Sequence, residues 1–359
     1  MATFCLAEAL AGLGHDVDVL TSGRLGDRPI EIIRGFTVYR AMSLRKGVHD
    51  CGLQGAATYM GFALPKLNTL IRNGRYDIFH YFFSLPTGLF TLLPGGRYGK
   101  PYVVSLRGSD VPGYDPFNTT LAFLHNLLKP VTRRIWNRSK HVVAVTRSLK
   151  KVARETAPDQ KIEVIPNGVD TDLFKPSRGV PKDRSCFELI CVSRLVKRKG
   201  IDHILSAMAG LRSENIKLSI VGTGNYENIL KRQCRDLSLN SAVAFKGFRP
   251  REKLPELYAQ SDAFILTSRS EAFGNVFAEA MSCGLPVIGA NVGGIPDLVT
   301  EKTGILVEPG DIDSIKKAIL RLKHSQGLRA QMGQASRTLI LKNHRWSQIA
   351  ERFLELYVS

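Results

Sequence analysis

Short, apolar, β-branched runs recur along this chain, and each is followed by residues with helical spacing. They are VDVLT (17–21), DIFHYF (77–82), YVVSL (102–106), HVVAV (141–145), ELICVS (188–193), KLSIVG (217–222), AFILTS (263–268), PVIGA (286–290) and GILVE (304–308). Runs of this kind suit strands covered on both faces, and their alternation with helices is the rhythm of parallel sheets. The fold class is therefore α/β. Between Pro166 and Phe187 the text turns to Pro, Gly, Asp and Ser without periodicity, a loop long enough to mark a domain boundary. We place two doubly wound domains around it, 1–177 and 178–344. The last amphipathic helix, in 345–359, can pack against either, completing the first domain in one of those arrangements. A doubly wound domain normally opens with a strand and a glycine-rich turn. Here ATFCLAEALAGLGHD already reads as a helix feeding a strand at Val17, so the opening strand and loop are missing from the pattern.

With 359 residues, 44% of them apolar, the chain can bury a sizeable core, and no apolar run reaches the roughly 18 residues of a membrane span. The first residues lack a charged n-region and a cleavage site, so export is not expected. The six cysteines have no CxxC spacing and read as reduced cytoplasmic thiols, and the eight histidines form no metal-spaced pair. The formal charge of +18 implies an anionic partner: nucleic acid, an acidic membrane or a phosphorylated substrate. No zinc finger, basic zipper or RNP-type motif supports the first. Basic residues thicken in two amphipathic pieces, 58–75 and 127–140. These suit either an anionic membrane surface or ordinary packing with a solvated basic face.

In open α/β sheets ligands gather at the carboxyl ends of strands. After ELICVS comes Arg194-Leu-Val-Lys-Arg-Lys199-Gly200, two cations before a helix start, which makes either a diphosphate site or a solvated basic loop. After KLSIV comes the Gly222-Thr-Gly224 turn, weak alone as a nucleotide fingerprint. After AFILTS comes SEAFGNVFAEAMSCG, with Glu271 and Glu279 on either side of Gly274. Ser268-Arg-Ser-Glu271 fits a capping box. That reading puts Gly274 in the first turns, where glycine costs about 1 kcal/mol relative to alanine, and a start near Gly274 or Asn275 is easier. Glu271 then lies in the loop and Glu279 beyond the first turn, each a carboxylate suited to vicinal hydroxyls. In the first half, YVVSL runs into Arg107-Gly108-Ser-Asp110, and Asn167-Gly sits in a turn.

Together, GHDVDVLTS, RGSD, VIPNGVDTDLF, SRLVKRKG, VGTG, SEAFGNVFAEAMSCGLPV and GGIPDLV resemble the retaining glycosyltransferases of family 4. The resemblance implies a GT-B fold, two facing Rossmann-like domains with the donor nucleotide sugar held mainly by the second. It implies that Arg194 and Lys199 bind the diphosphate, that Glu271 lies beside the donor hexose and that Glu279 bonds the ribose. Phe273, Gly274, Asn275 and Val276 would line the sugar and phosphates, Gly222 would border the nucleotide, and Phe248 would meet the base. Arg107, Gly108, Asp110 and Asn167 would lie on the acceptor or donor-sugar side. The family commonly has histidine where Arg107 stands; since arginine does not titrate usefully, a donor-sugar or acceptor-phosphate contact is the role left to it.

The activity so implied is retaining, cofactor-free and metal-free hexosyl transfer. The donor is a UDP-sugar, with GDP-mannose as the alternative, and the acceptor a lipid-linked or otherwise anionic glycan in envelope or exopolysaccharide synthesis. The enzyme would work in the cytoplasm, peripheral at the inner face of the membrane, and bind no nucleic acid. The competing expectation is a truncated, catalytically impaired nucleotide-sugar-binding protein. A GT-B epimerase fits the Arg-x4-Lys and Glu-x7-Glu pattern less well.

Overall fold

In the computed structural model, residues 2–45, 52–74, 76–93, 99–115, 119–177 and 185–359 are described. The chain forms two compact units, one made of Met1–Gly168 with Trp346–Ser359, the other of Val169–Arg345. No helix among the described residues is long and apolar enough to cross a membrane.

The first unit contains β1 (Asp18–Gly23), β2 (Ile30–Ile33), β3 (Phe36–Met42), β4 (Phe79–Phe82), β5 (Tyr102–Leu106), β6 (His141–Ala144) and β7 (Ile162–Val164). They make two sheets, a three-stranded one in the order β1-β3-β2 and a four-stranded parallel one in the order β4-β5-β6-β7. The hairpin β2–β3 escapes a search for buried strands because Ile30 and Ile32 of its edge strand face solvent. Helix Ala2–Gly12 serves both sheets. Leu6 and Leu10 pack on Val103, Val143 and Ile165, while Ala7 packs on Val19, Phe36 and Val38.

Helix Trp346–Val358 sends Ile349, Ala350 and Phe353 into the same cluster as Leu6 and Val103. Burying an Ile and a Phe fully is worth about 1.5–3 kcal/mol each, enough to fix this helix in the first unit.

The second unit is one parallel sheet of β8 (Phe187–Val192), β9 (Ile216–Val221), β10 (Val243–Gly247), β11 (Ala263–Leu266), β12 (Val287–Ala290) and β13 (Gly304–Val307). Their order is β10-β9-β8-β11-β12-β13. From β8 the chain winds outward to β10, then returns to β11 on the other side and winds out again. The carboxyl ends of β8 and β11 are thus the point where the order reverses, the usual place for a ligand crevice.

The division between units falls at Gly168/Val169 rather than 177/178. Residues 169–177 are tied to the second unit because Val169 N donates to His344 O at 2.6 Å and Arg337 donates to the Phe174 carbonyl oxygen at 2.9 Å.

Candidate active site

β8 and β11 are hydrogen-bonded neighbours, with Ala263 opposite Leu189 and Phe264 opposite Ile190. The loops that leave them are therefore side by side. Several bonds lock the two together. Arg269 N donates to Arg198 O at 2.8 Å, Arg198 Nη1 to Ser270 O at 3.0 Å, and Thr267 Oγ1 to Gly200 O at 2.8 Å. The Arg269 guanidinium grips both oxygens of Asp202, at 2.9 and 2.6 Å, and donates to His203 Nε2 at 2.7 Å. Burial holds His203 below the ordinary imidazole range against the pull of Asp202, which suits its role as acceptor.

This clamp brings two of the predicted residues into contact. Lys199 Nζ forms an ion pair with Glu271 Oε2, both side chains nearly enclosed at 10% and 12% exposure. Ser268 Oγ lies 3.4 Å from the same oxygen, and the Glu271 carbonyl accepts from Gly294 N at 2.9 Å, so backbone and carboxylate are both held. Arg194 stands exposed at the end of β8.

The capping-box alternative is not what forms. The helix runs Asn275–Ser282 with Gly274 as its N-cap at φ 86°, and Glu271 lies in the loop before it. A side chain at Gly274 would be strained at that φ and would put a methyl carbon 2.8 Å from Ile295 Cδ1. Gly222 is bound more tightly still. At φ 133° its missing Cβ would stand 1.8 Å from the Ser193 carbonyl oxygen, so the turn after β9 can approach the β8 loop only with glycine. Asn275 is exposed and Val276 half-buried at the helix start, whereas the Phe273 ring is buried against His344. Phe273 can thus offer a ligand its backbone but not its ring. Phe248 is 66% exposed beyond β10.

Glu279 has a different environment from Glu271. Arg251 Nε lies 3.5 Å from its Oε1, and the same guanidinium reaches Asp170 at 3.8 Å and lies over the Phe174 ring. Burial pushes the Glu279 carboxyl up to about 7, with Arg251 opposing. Arg251 was missed by the motif reading because its partners are distant in sequence and nothing in its local spacing marks it. The same holds for the Arg269–Asp202 clamp.

In the first unit, Arg107 follows β5, and its Nη1 donates to Asn167 Oδ1 at 2.5 Å. Asp110 is 2% exposed, and its oxygens accept from the backbone N–H groups of Ser84 (2.8 Å), Arg107 (2.8 Å) and Gly108 (3.0 Å). Asp110 therefore shapes the loop that carries Arg107 and Gly108. Among the described residues no group of three His, Cys, Asp or Glu side chains is arranged to hold a metal ion.

Comparison with known proteins identifies the family. The profile described as "Glycosyl transferases group 1" matches residues 175–339, and that described as "Glycosyltransferase Family 4" matches residues 2–173. A GDP-mannose-dependent alpha-(1-6)-phosphatidylinositol monomannoside mannosyltransferase from Mycolicibacterium smegmatis is 35% identical over 79% of this chain and 77% of its own length. Among solved structures, sucrose-phosphate synthase from Thermosynechococcus elongatus superposes with a TM-score of 0.84 at 22% identity, covering 98% of this chain and 91% of that one. HepE from Anabaena, solved with UDP and glucose, gives 0.77 at 21% identity over 100% and 96% of the two chains. Both structural likenesses speak to the GT-B fold.

Proposed function

This chain belongs to glycosyltransferase family 4, and from that premise we propose that it moves a hexose from a nucleotide diphosphate sugar with retention of anomeric configuration and without a metal. The observation that carries the proposal is the Lys199–Glu271 pair, held at the reversal point of the second sheet beside exposed Arg194 and the start of helix Asn275–Ser282. The donor's diphosphate lies against Arg194, Lys199 and the N–H groups of the helix start. As the bond from the anomeric carbon breaks, its electron pair passes to the diphosphate. Preorganised donors at that position are worth about 3–4 kcal/mol each in other enzymes. Glu271 lies where a carboxylate favours the cationic character of the departing sugar. Glu279 accepts from the ribose hydroxyls.

The mannosyltransferase relative supports GDP-mannose as the first donor to test, ahead of UDP-sugars. Its phosphatidylinositol-based acceptor, together with the +18 charge, supports a lipid-linked anionic acceptor met at a membrane surface. Helix Thr119–Asn137 presents the exposed side chains of Phe123 and Leu127 ahead of exposed Arg133 and Arg134, the pattern of a helix that lies on acidic bilayers.

Transfer assays with GDP-mannose and UDP-glucose, read by the anomeric proton of the product, test the reading. Lys199→Ala and Glu271→Ala should each lose transfer while keeping the fold, and full turnover by either overturns the site. Sedimentation with phosphatidylglycerol vesicles tests the surface. Binding should fall about tenfold in Phe123→Ser/Leu127→Ser and weaken with salt.

A further inference from the structure

Among the described residues Arg107 is a cation that forms no ion pair, with Asp110 as its more distant acidic neighbour. It sits at the carboxyl end of β5 with its guanidinium 4.3 Å above the Phe82 ring and Nη1 committed to Asn167. Its Nε is enclosed and makes no hydrogen bond, and no carboxylate lies within ion-pair distance of it among the described residues. The nearest acidic group, Asp110, spends both oxygens on the backbone N–H groups of Ser84, Arg107 and Gly108.

The neighbours on the other side supply no negative charge either. His80 bonds Ser105 Oγ through Nε2 at 2.6 Å and the Tyr357 hydroxyl through Nδ1 at 2.7 Å. Burial, and then Arg107 itself, keeps His80 well below the ordinary imidazole range and so neutral. Burial likewise keeps the Tyr357 phenol protonated, above its ordinary range. Desolvation lowers Arg107 to about 10, which still leaves it a cation at neutral pH.

A part-buried charge without an ion-pair partner costs free energy, which the Phe82 ring, the Asn167 amide and the more distant Asp110 offset only in part. They also fix its position, with an aromatic floor and an amide at one edge, and leave Nη2 for something that arrives later. A neutral sugar hydroxyl would leave the charge uncompensated, whereas an oxyanion cancels it through a charge-assisted hydrogen bond.

We propose that Arg107, oriented by Phe82 and Asn167, is an oxyanion subsite of the first unit that binds a phosphate or carboxylate group carried by the substrate. This deepens the glycosyltransferase reading and rests on it for the word substrate. The recognition chemistry itself belongs to the first unit alone.

The test uses the full chain saturated with GDP, so that the second unit's site does not respond to the probes. Glycerol 1-phosphate, acetate and glycerol are titrated against wild type, Arg107→Met and Arg107→Lys by calorimetry. We expect wild type to bind at least one of the two anions and not glycerol. Arg107→Met should weaken that binding at least tenfold and Arg107→Lys less. Which anion binds identifies the source as a phosphate ester or a carboxylate. Arg107→Met should also be at least as heat-stable as wild type, because it removes an uncompensated charge. A clearly lower midpoint would make Arg107 a structural residue and sink the proposal, as would equal anion binding by wild type and Arg107→Met or a wild type indifferent to both anions. Nucleotide-sugar binding is measured separately on the same variants. Its absence in wild type would overturn the proposed function while leaving the anion result to stand or fall alone.

Discussion

Replacing Glu279 by Gln should make the protein more stable and a poorer donor binder, with a pH signature that tells why. Burial moves this carboxyl from its ordinary 4.5 to about 7. The shift is upward, so the stability contributed by the neutral form is fully present below 4.5 and is lost as pH rises through 7. At about 1.4 kcal/mol per unit, the ionised group costs the fold roughly 3 kcal/mol at pH 8. Glutamine avoids that cost, and the opposing pull of Arg251 is already contained in the position of about 7, so the gain is about 3 kcal/mol. For a unit the size of Val169–Arg345 this raises the melting temperature by about 6–12 °C at pH 8, and by close to nothing near pH 4.5.

Scanning fluorimetry of both proteins across this pH range measures the difference directly. In parallel, nucleotide-sugar affinity of wild type should rise with pH through about 7 as the carboxylate forms, and should be flat and about tenfold weaker in Glu279→Gln. A nucleotide sugar is the right ligand because its esterified diphosphate has no group titrating near neutrality. A stability difference that ignores pH, or a glutamine variant less stable than wild type at pH 8, would refute the reasoning.

Other consequences follow from the same contacts. Lys199→Met strands a nearly enclosed carboxylate and should cost about 3 kcal/mol in urea unfolding along with at least a hundredfold in transfer; adding Glu271→Gln should restore most of the stability and none of the transfer. Gly222→Ala should lower the unfolding free energy by about 2 kcal/mol or more, since both its φ and the Ser193 carbonyl oppose a methyl group; a neutral result would mean that the β8 and β9 loops are slack. Asp110→Asn points an amide N–H at backbone donors and should cost about 2–3 kcal/mol, seen as a lower urea midpoint, in contrast to the stable Arg107→Met.

What the primary structure disclosed divides along physical lines. The buried strands β5, β8, β11 and β12 announce themselves because both faces need apolar side chains, as in Phe264-Ile265-Leu266. The hairpin around Arg34–Gly35 did not, because half of its edge strand faces water, nor did β10, whose residues after buried Val243 alternate between exposed and half-buried. Of the site, Glu271, Lys199 and Gly274 were legible as strand-end residues next to a helix start. Their pairing was not: it joins positions 72 apart in the chain. The two glutamates look alike in the text, yet one is matched by a lysine and the other by Arg251, a distinction that only tertiary contact creates. Asp110 shows the converse. A carboxylate at a strand end reads as functional, whereas here three backbone N–H groups claim it.

The helix Trp346–Val358 closes the core of the first unit although the chain reaches it only after completing the second. During synthesis the second unit's sheet is therefore finished while Leu6, Val103 and Val143 still lack Phe353. The unit built from the earliest residues is the last to become watertight. A stop codon or a protease cut near residue 345 would leave the second unit's sheet intact and open the core of the first, so damage at the tail should be felt first around β5 and Arg107.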